Sequence, residues 1–255
     1  MSDSEEKPAK QPRRAIYLLP NLFTTSALFA GFYGVISAMD GNFSRAAIAI
    51  FIAMILDTLD GRVARLTNTS SDFGAEFDSL SDVISFGVAP GLIVYEWSLQ
   101  SLGGLGFGQL GLLASFLYAA CTALRLARFN TQLGIADKRF FQGLASPSGA
   151  ALVMGMIWVA DDVGYQGEQL ALLAFVVTIA AGLLMVSNFT YYSFKDIGTH
   201  KRVSFMALTA LVLLFAFTSI DPPKIVLACF AIYAVSGPAF SIWRWSRKRE
   251  ARQSS

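Results

Sequence analysis

The chain has 255 residues, of which 54% are hydrophobic and 15% charged, with a formal net charge of +2. Its mean hydropathy is +0.51. Soluble globular domains carry about 25% charged residues, so this composition excludes an ordinary soluble enzyme, a disordered chain and a disulfide-rich scaffold. The small net charge gives no ground for nucleic-acid binding. An all-α, polytopic membrane protein is predicted instead.

Met1 to Arg14 is polar and charged with two prolines, which predicts a disordered tail over 1–14. The apolar run Tyr17 to Met39 is longer than a signal-peptide core of about 7–15 residues, and it reads as a permanent first span. Seven further spans are predicted: Ala46 to Leu66, Val83 to Leu99, Phe107 to Phe129, Pro147 to Ala160, Gln169 to Phe189, Val203 to Ile220 and Ile225 to Trp243. Most approach the roughly 20 residues that cross a hydrocarbon core. With eight spans and the N-terminus inside, every lysine and arginine except Arg45 and Lys224 falls on the cytoplasmic side, as the positive-inside rule expects. Omitting the fifth span, the shortest, would carry the final basic cluster outside. The expected organisation is one transmembrane domain over 15–245 and a basic cytoplasmic tail over 246–255. Cys121 and Cys229 both sit in apolar runs and read as small packing residues. His200 reads as a solvated loop residue, and the 21 phenylalanines as lipid-facing and packing surface.

Ionisable groups inside a span are expensive and mark function. The second span ends in ILDTLDGRVARL, and EFDSLSDVISF opens the third, so Asp57, Asp60, Asp78 and Asp82 gather near one membrane face. Asp57 and Asp60 are three apart and Asp78 and Asp82 four apart, so each pair shares a helix face. In two antiparallel helices facing residues have a near-constant index sum. That pairs Asp57 with Asp82 and Asp60 with Asp78, the first pair deeper by one helical turn, roughly 5 Å. Four unpaired anions would repel strongly. Arg62 and Arg65 are too few to pair them all. Clustered oxygen donors without nearby histidine or cysteine suit Mg²⁺ or Mn²⁺ rather than zinc. Two metals bridged by carboxylates serve phosphoryl chemistry. The alternative is a hairpin held by polar contacts to other helices, a purpose one or two asparagines would serve at lower cost.

Other residues admit two readings. Gly61 and Gly74 let a backbone or ligand approach closely, although glycine is common in membrane helices. Arg65 can bind phosphate oxygens or snorkel at the interface. Arg125 and Arg128 share a face at the end of the fourth span, where they can clamp an anion or serve as positive-inside anchors. Lys138 and Arg139 read as anchors to anionic headgroups.

The stretch from Asp57 to Asp82 reads D-T-L-D-G-R-V-A-R, eight residues, then G-A-E-F-D-S-L-S-D. It resembles the signature of the CDP-alcohol phosphotransferase family, D-x-x-D-G-x-x-A-R-x8-G-x3-D-x3-D, at all eight fixed positions. Within the family, FDSLSDVISFGVAP at 77–90, LPNLFT at 19–24, ALRLARFN at 123–130 and FQGLASPSGA at 141–150 are most similar to the membrane-integral bacterial phosphatidylserine synthases. Ala145 stands where proline is more usual.

This resemblance implies the family's fold and a reaction in which L-serine attacks CDP-diacylglycerol, giving phosphatidylserine and CMP. It implies metal ligation by Asp57, Asp60 and Asp78 with Asp82 also near, two divalent ions, and Asp82 as the base that takes the serine proton. Gly61, Arg65 and Gly74 would line the CDP site, with Asn21 reaching the same nucleotide. Arg125, Arg128, Asn130, Ser146 and Ser148 are candidates for contacting serine or a lipid phosphate. A homodimer in the bacterial inner (cell) membrane, with both termini and the site cytoplasmic and membrane lipids around it, is also implied. Two competing readings stand beside this one. One keeps the family and changes the acceptor to glycerol 3-phosphate, an inositol phosphate or choline. The other is a divalent-cation channel or transporter, which predicts acids spread through the membrane depth.

Overall fold

The computed structural model describes residues 14–67, 71–104, 106, 109–132, 140–192, 209 and 219–253. Helix α1 (Arg14–Met39) and α2 (Phe43–Thr67) form an antiparallel pair joined by a tight turn. A third rod begins as α3 (Asp72–Asp82), passes through a π turn (Val83–Val88) and continues as α4 (Ala89–Trp97). Then come α5 (Leu110–Gln132), strand β1 (Phe140–Gln142), α6 (Ser146–Val163), α7 (Ala171–Val186), strand β2 (Thr190–Tyr192) and α8 (Pro222–Gln253). The two strands form one short antiparallel pair, with Phe141 opposite Tyr191.

Five described stretches are long and apolar enough to cross a membrane: Pro20–Met39, Asp72–Trp97, Leu110–Thr131, Gly167–Val186 and Pro222–Ser241. This is the make-up of a helical membrane protein. The expected eight spans are met only in part. Helix α2 carries Asp57, Asp60, Arg62 and Arg65 in its second half, and α6 ends in Asp161 and Asp162, so neither is apolar enough to qualify. The expected span Val203–Ile220 lies almost wholly outside the described residues, as do His200, Lys138, Arg139 and the tail up to residue 13. The third span also starts earlier than expected. Its rod opens at Asp72, capped by Ser71, whose Oγ accepts from the Gly74 N–H at 3.0 Å.

Water supplies no drive for helix association inside lipid, so close packing needs small residues. Helix α1 presents Ala27, Ala30, Gly31, Gly34 and Ala38 inward, and α2 answers with Ala46, Ala47, Ala49 and Ala53, all buried. A Cβ on Gly34 would lie 3.2 Å from the Ala46 carbonyl oxygen, and one on Gly31 only 3.0 Å from Ser85 Cα. The outer face of α1 carries Leu22, Phe29, Phe32 and Ile36, all exposed as lipid-facing residues should be. Helix α6 runs through the centre, with Ala150, Val153, Met154 and Ile157 fully buried, and packs on α2, α7 and α8.

The π turn has a local cause. Pro90 lacks the N–H that would meet the Phe86 carbonyl in an α-helix. The backbone widens there, and the buried Tyr118 hydroxyl of α5 donates to Phe86 O at 2.9 Å. Ser85 Oγ donates to Ala27 O at 3.3 Å, and Ser115 Oγ to Gly91 O at 2.6 Å. One extra residue in a turn rotates what precedes it by about 100°. The π turn follows Asp82 directly, so it sets which way the acidic half of the rod faces.

At the opposite end of the bundle Asp161 accepts hydrogen bonds from Ser44 N–H and Oγ–H, tying α6 to the start of α2. There too, Lys224 Nζ lies 2.5 Å from Asp221 and holds that carboxyl below the usual carboxylate range.

Tyr118→Phe keeps the shape and removes one buried donor. It is expected to destabilise the fold by about 1–3 kcal/mol, read as a lower thermal-unfolding midpoint of the detergent-solubilised protein.

Candidate functional site

Helix α2 delivers Asp57 and Asp60 on one face, and α3 delivers Asp78 and Asp82. The carboxyl of Asp57 lies close to those of Asp82 and Asp78, and that of Asp60 close to that of Asp78. The facing pairs expected from the index sums are both present. Their support differs from a simple hairpin, however. Helices α2 and α3 scarcely touch through their backbones; both lean on α1 instead. The carboxylates therefore meet across a gap that α1 holds open.

Asp57, Asp60 and Asp78 each offer a ligand oxygen, and the three atoms lie within 4.8 Å of one another. Asp82 stands beside this triad, next to Asp57, rather than in it. Asp60 is the most enclosed, only 4% exposed. Asp78 Oδ1 is buried with no hydrogen-bond partner among the described residues. No lysine or arginine forms an ion pair with any of the four acids among the described residues. Like unit charges about 4 Å apart repel by about 4 kcal/mol at an effective dielectric of 20. An orphaned buried oxygen, three converging hard donors and no ion-paired side chain among the described residues together fit a divalent cation, whose ligands are carboxylates of this kind. The cluster could hold a metal.

An open cleft of about 590 Å³ adjoins the triad. Asp60 and Asp78 form its floor, and Pro20, Asn21 and Thr24 of α1 form one wall. Gly61, Ala64 and Arg65 of α2 and Ser71, Gly74 and Ala75 at the start of α3 complete it. All four residues expected at a nucleotide site, Asn21, Gly61, Arg65 and Gly74, line this one cleft. Arg65 folds back so that its guanidinium nitrogens sit 3.7 and 3.9 Å from where a Cβ on Gly61 would be. A Cβ on Gly74 would lie 3.1 Å from Ser71 Oγ and 3.4 Å from Asn21 Oδ1, so a side chain there would crowd the wall. Glycine at 61 and 74 keeps backbone open beside a cationic guanidinium and an amide, an arrangement suited to phosphate oxygens.

The remaining candidates divide. Arg125 of α5 donates to the buried Ser146 Oγ at 2.6 Å and stacks over Phe129 at 5.6 Å from the ring centroid. Its charge is also felt by Asp82, so Arg125 borders the acid cluster. Arg128 turns away. It donates to Gln142 Oε1, to Asn188 Oδ1 at 2.7 Å and to the Val186 carbonyl, stapling the end of α5 to the strand pair and the end of α7. Asn130 donates to Ser79 Oγ at 2.9 Å and so links α5 to the acid-bearing helix. Ser148 is buried within the first turn of α6. The cluster thus gathers Arg125 and Ser146 beside Asp82, and it does not gather Arg128.

Three residues at the site were not singled out from sequence. Thr24 donates to Asp60 Oδ2 at 2.6 Å. Ser71 caps α3 and lines the cleft; serine followed three residues later by glycine gives only a weak cap signal. Tyr233 of α8 lies within charge range of Arg125 and packs against Tyr191 at 5.4 Å between ring centroids. Nothing local in the eighth span marks it.

Residues 17–237 match the family model described as CDP-alcohol phosphatidyltransferase. The chain is 38% identical over 226 residues to a protein of Helicobacter pylori named CDP-diacylglycerol–serine O-phosphatidyltransferase, covering 88% of this chain and 92% of that one. A protein of the same name from Methanocaldococcus jannaschii is 35% identical, covering 80% and 86%. The archaetidylserine synthase of Methanothermobacter thermautotrophicus is 35% identical, covering 68% and 69%.

Removing one charge from the triad relieves repulsion while deleting a ligand. Asp78→Asn is expected to raise the unfolding midpoint of the divalent-free protein above wild type. Mn²⁺ at a hundredfold excess over its dissociation constant stabilises a binding protein by about 2.7 kcal/mol. Wild type should show a shift of that order and the variant little or none, in thermal melts with and without EDTA.

Proposed function

We infer the reaction from one premise: the chain belongs to the CDP-alcohol phosphatidyltransferase family. We propose that it transfers the phosphatidyl group of CDP-diacylglycerol to L-serine, releasing CMP and leaving phosphatidylserine. The observation that carries this is the meeting of Asp57, Asp60 and Asp78 beside a cleft lined by Asn21, Gly61, Arg65 and Gly74. The relatives' names supply the lipid nucleotide and serine as substrates.

In this reading the CDP moiety lies in the cleft, with Arg65 and the open backbone at Gly61 and Gly74 on its phosphates and Asn21 on the nucleotide. Asp57, Asp60 and Asp78 hold Mg²⁺ or Mn²⁺, two ions in all, and Asp82 contributes from the side. When such ions are bound, the chemistry they supply is charge neutralisation on the pyrophosphate and on departing CMP. The serine hydroxyl oxygen bonds to the phosphorus that carries diacylglycerol. The bond from that phosphorus to the CMP oxygen breaks, and Asp82 takes the hydroxyl proton. A base must stand within hydrogen-bond reach of the attacking group. What supports Asp82 in this role is its place at the edge of the triad, between Asp57 and the charge of Arg125. Arg125, held by Ser146, faces the serine carboxylate or the lipid phosphate, and Asn130 and Ser148 shape the same side. Arg128 contributes by keeping α5 fixed against the strand pair. Phosphoryl transfer asks for this kind of positioning and electrostatic help more than for covalent chemistry.

The topology belongs to the same proposal: eight spans over 15–245 as one catalytic domain, in a homodimer within the bacterial inner membrane. Both termini and the site face the cytoplasm. Support comes from the end of the bundle that carries the cleft, where Arg62, Arg65, Arg125 and Arg128 cluster, while the described opposite end is acidic.

Purified protein given CDP-diacylglycerol and Mn²⁺ is expected to release CMP with L-serine and not with glycerol 3-phosphate, inositol phosphate or choline. Release that ignores serine overturns the acceptor. Asp82→Asn should cut turnover by at least about 10²-fold, the lower range for general-base catalysis, while retaining CDP-diacylglycerol binding in a titration. Asp60→Ala should weaken Mn²⁺ and CDP binding together.

A further inference from the structure

Threonine in a helix interior ordinarily returns its hydroxyl proton to the carbonyl one turn back. Thr25, Thr58, Thr67 and Thr122 all do so here, at 2.7, 2.9, 2.8 and 3.0 Å. Thr24 departs from them. Its hydroxyl lies 3.2 Å from the Pro20 carbonyl and 2.6 Å from Asp60 Oδ2, on another helix. A hydroxyl has one proton, and the shorter, charge-assisted bond holds it. Thr24 is itself buried, so this bond is shielded from water.

Asp60 is the most enclosed of the four acids and the one whose orientation most needs fixing. Its carboxyl also lies close to those of Asp57 and Asp78. The backbone of Thr24 has a second duty: its carbonyl accepts from Ser81 Oγ at 3.3 Å, so one residue of α1 touches both acid-bearing helices. Those helices scarcely touch each other. A residue contacting both from the third helix is placed to set the separation and rotation of the carboxylates.

We propose that Thr24 is a positioning residue for the metal site: its hydroxyl pins one oxygen of Asp60 and so turns the other toward Asp57 and Asp78. The inference rests on the metal-binding reading above and adds a residue outside the carboxylate set. Thr24 touches neither metal nor reacting atoms in this scheme; it acts through Asp60. Replacing it with valine keeps volume and branching and removes only the proton donor.

The test measures metal binding without turnover. Full-length protein in detergent, stripped of divalent ions, is titrated with Mn²⁺, and free Mn²⁺ is read by electron paramagnetic resonance. Thr24→Val is expected to bind Mn²⁺ on the order of 10–100-fold more weakly, the usual effect of losing a group that orients a ligand. Thr24→Ser, which keeps the hydroxyl, should bind close to wild type. Ser81→Ala cuts only the strut to α3 and leaves the Thr24–Asp60 bond in place, so it should weaken Mn²⁺ binding far less than Thr24→Val does while lowering the unfolding midpoint. Thr24→Ala serves the same comparison if the valine variant does not fold. Wild-type affinity in Thr24→Val overturns the proposal, as does a serine variant as weak as the valine one. A Ser81→Ala loss equal to that of Thr24→Val overturns it too, because helix packing would then explain both. Wild-type protein that binds no Mn²⁺ overturns the metal reading itself, and that result is distinct from the other three.

Discussion

Four carboxylates must be kept together in a place where both burial and mutual repulsion oppose it. Nothing within the acid-bearing helices can do this alone, since α2 and α3 have little direct contact. The opposing force comes from α1. Its small residues let α2 approach until Gly34 nears the Ala46 carbonyl, and let the third rod approach until Gly31 nears Ser85. Hydroxyl struts then fix the arrangement: Ser81 to Thr24, Ser85 to Ala27 and Thr24 to Asp60. A single apolar helix, without an acidic or basic side chain among its described ones, is thereby the frame of the most polar part of the molecule.

That frame explains why the site is an open gap. A tight hairpin would bring the two acid pairs into contact and leave no room for cation or phosphate. With α1 as a spacer, backbone separation is decoupled from carboxylate convergence. The π turn adds rotation to the same end. It arises from Pro90, well beyond the acids, yet it sets the azimuth of Asp78 and Asp82 relative to the apolar half of their rod. Arg125 and Arg128 show how three residues of separation on one helix suffice for different work. One borders the acids and is held by Ser146. The other is spent on Gln142, Asn188 and a carbonyl, which together occupy its guanidinium donors.

Much of this was legible in the chain. The spacing of Asp57, Asp60, Asp78 and Asp82 fixes helix faces, and faces fix which acids meet. The glycines and Arg65 lie within a turn of those acids, so local periodicity carries them into the cleft too. What was hidden depends on a third body. The α2–α3 separation is set by α1, which contributes no acid. Thr24 looks like any helical threonine until the rotation of α2 puts Asp60 within reach. Tyr233 is brought near Arg125 by packing between segments far apart in sequence. The early start of the third rod was missed for a different reason. Its first turns are amphipathic rather than apolar, and a search for continuous hydrophobic runs passes over them.

An enzyme that acts on a nucleotide-linked lipid must be open to water and to acyl chains at one point, and the sequence neighbours of the cleft meet that demand. Asn21, Asp60, Arg65 and Gly74 line it, while Leu22, Leu59, Leu66 and Phe73, each the adjacent residue, are exposed. Adjacent helical positions differ by about 100°, so a polar wall and an apolar flank alternate at the same height. Depth matters as much as composition. A filter built from acids would spread them through the crossing, yet the described acids lie towards the two ends of the bundle, and Asp161 at the far end is engaged by Ser44. Between the ends the core is alanine, isoleucine, methionine and tyrosine, closely packed and fully buried. Such an interior gives a rigid base from which one end can hold four like charges a few ångströms apart.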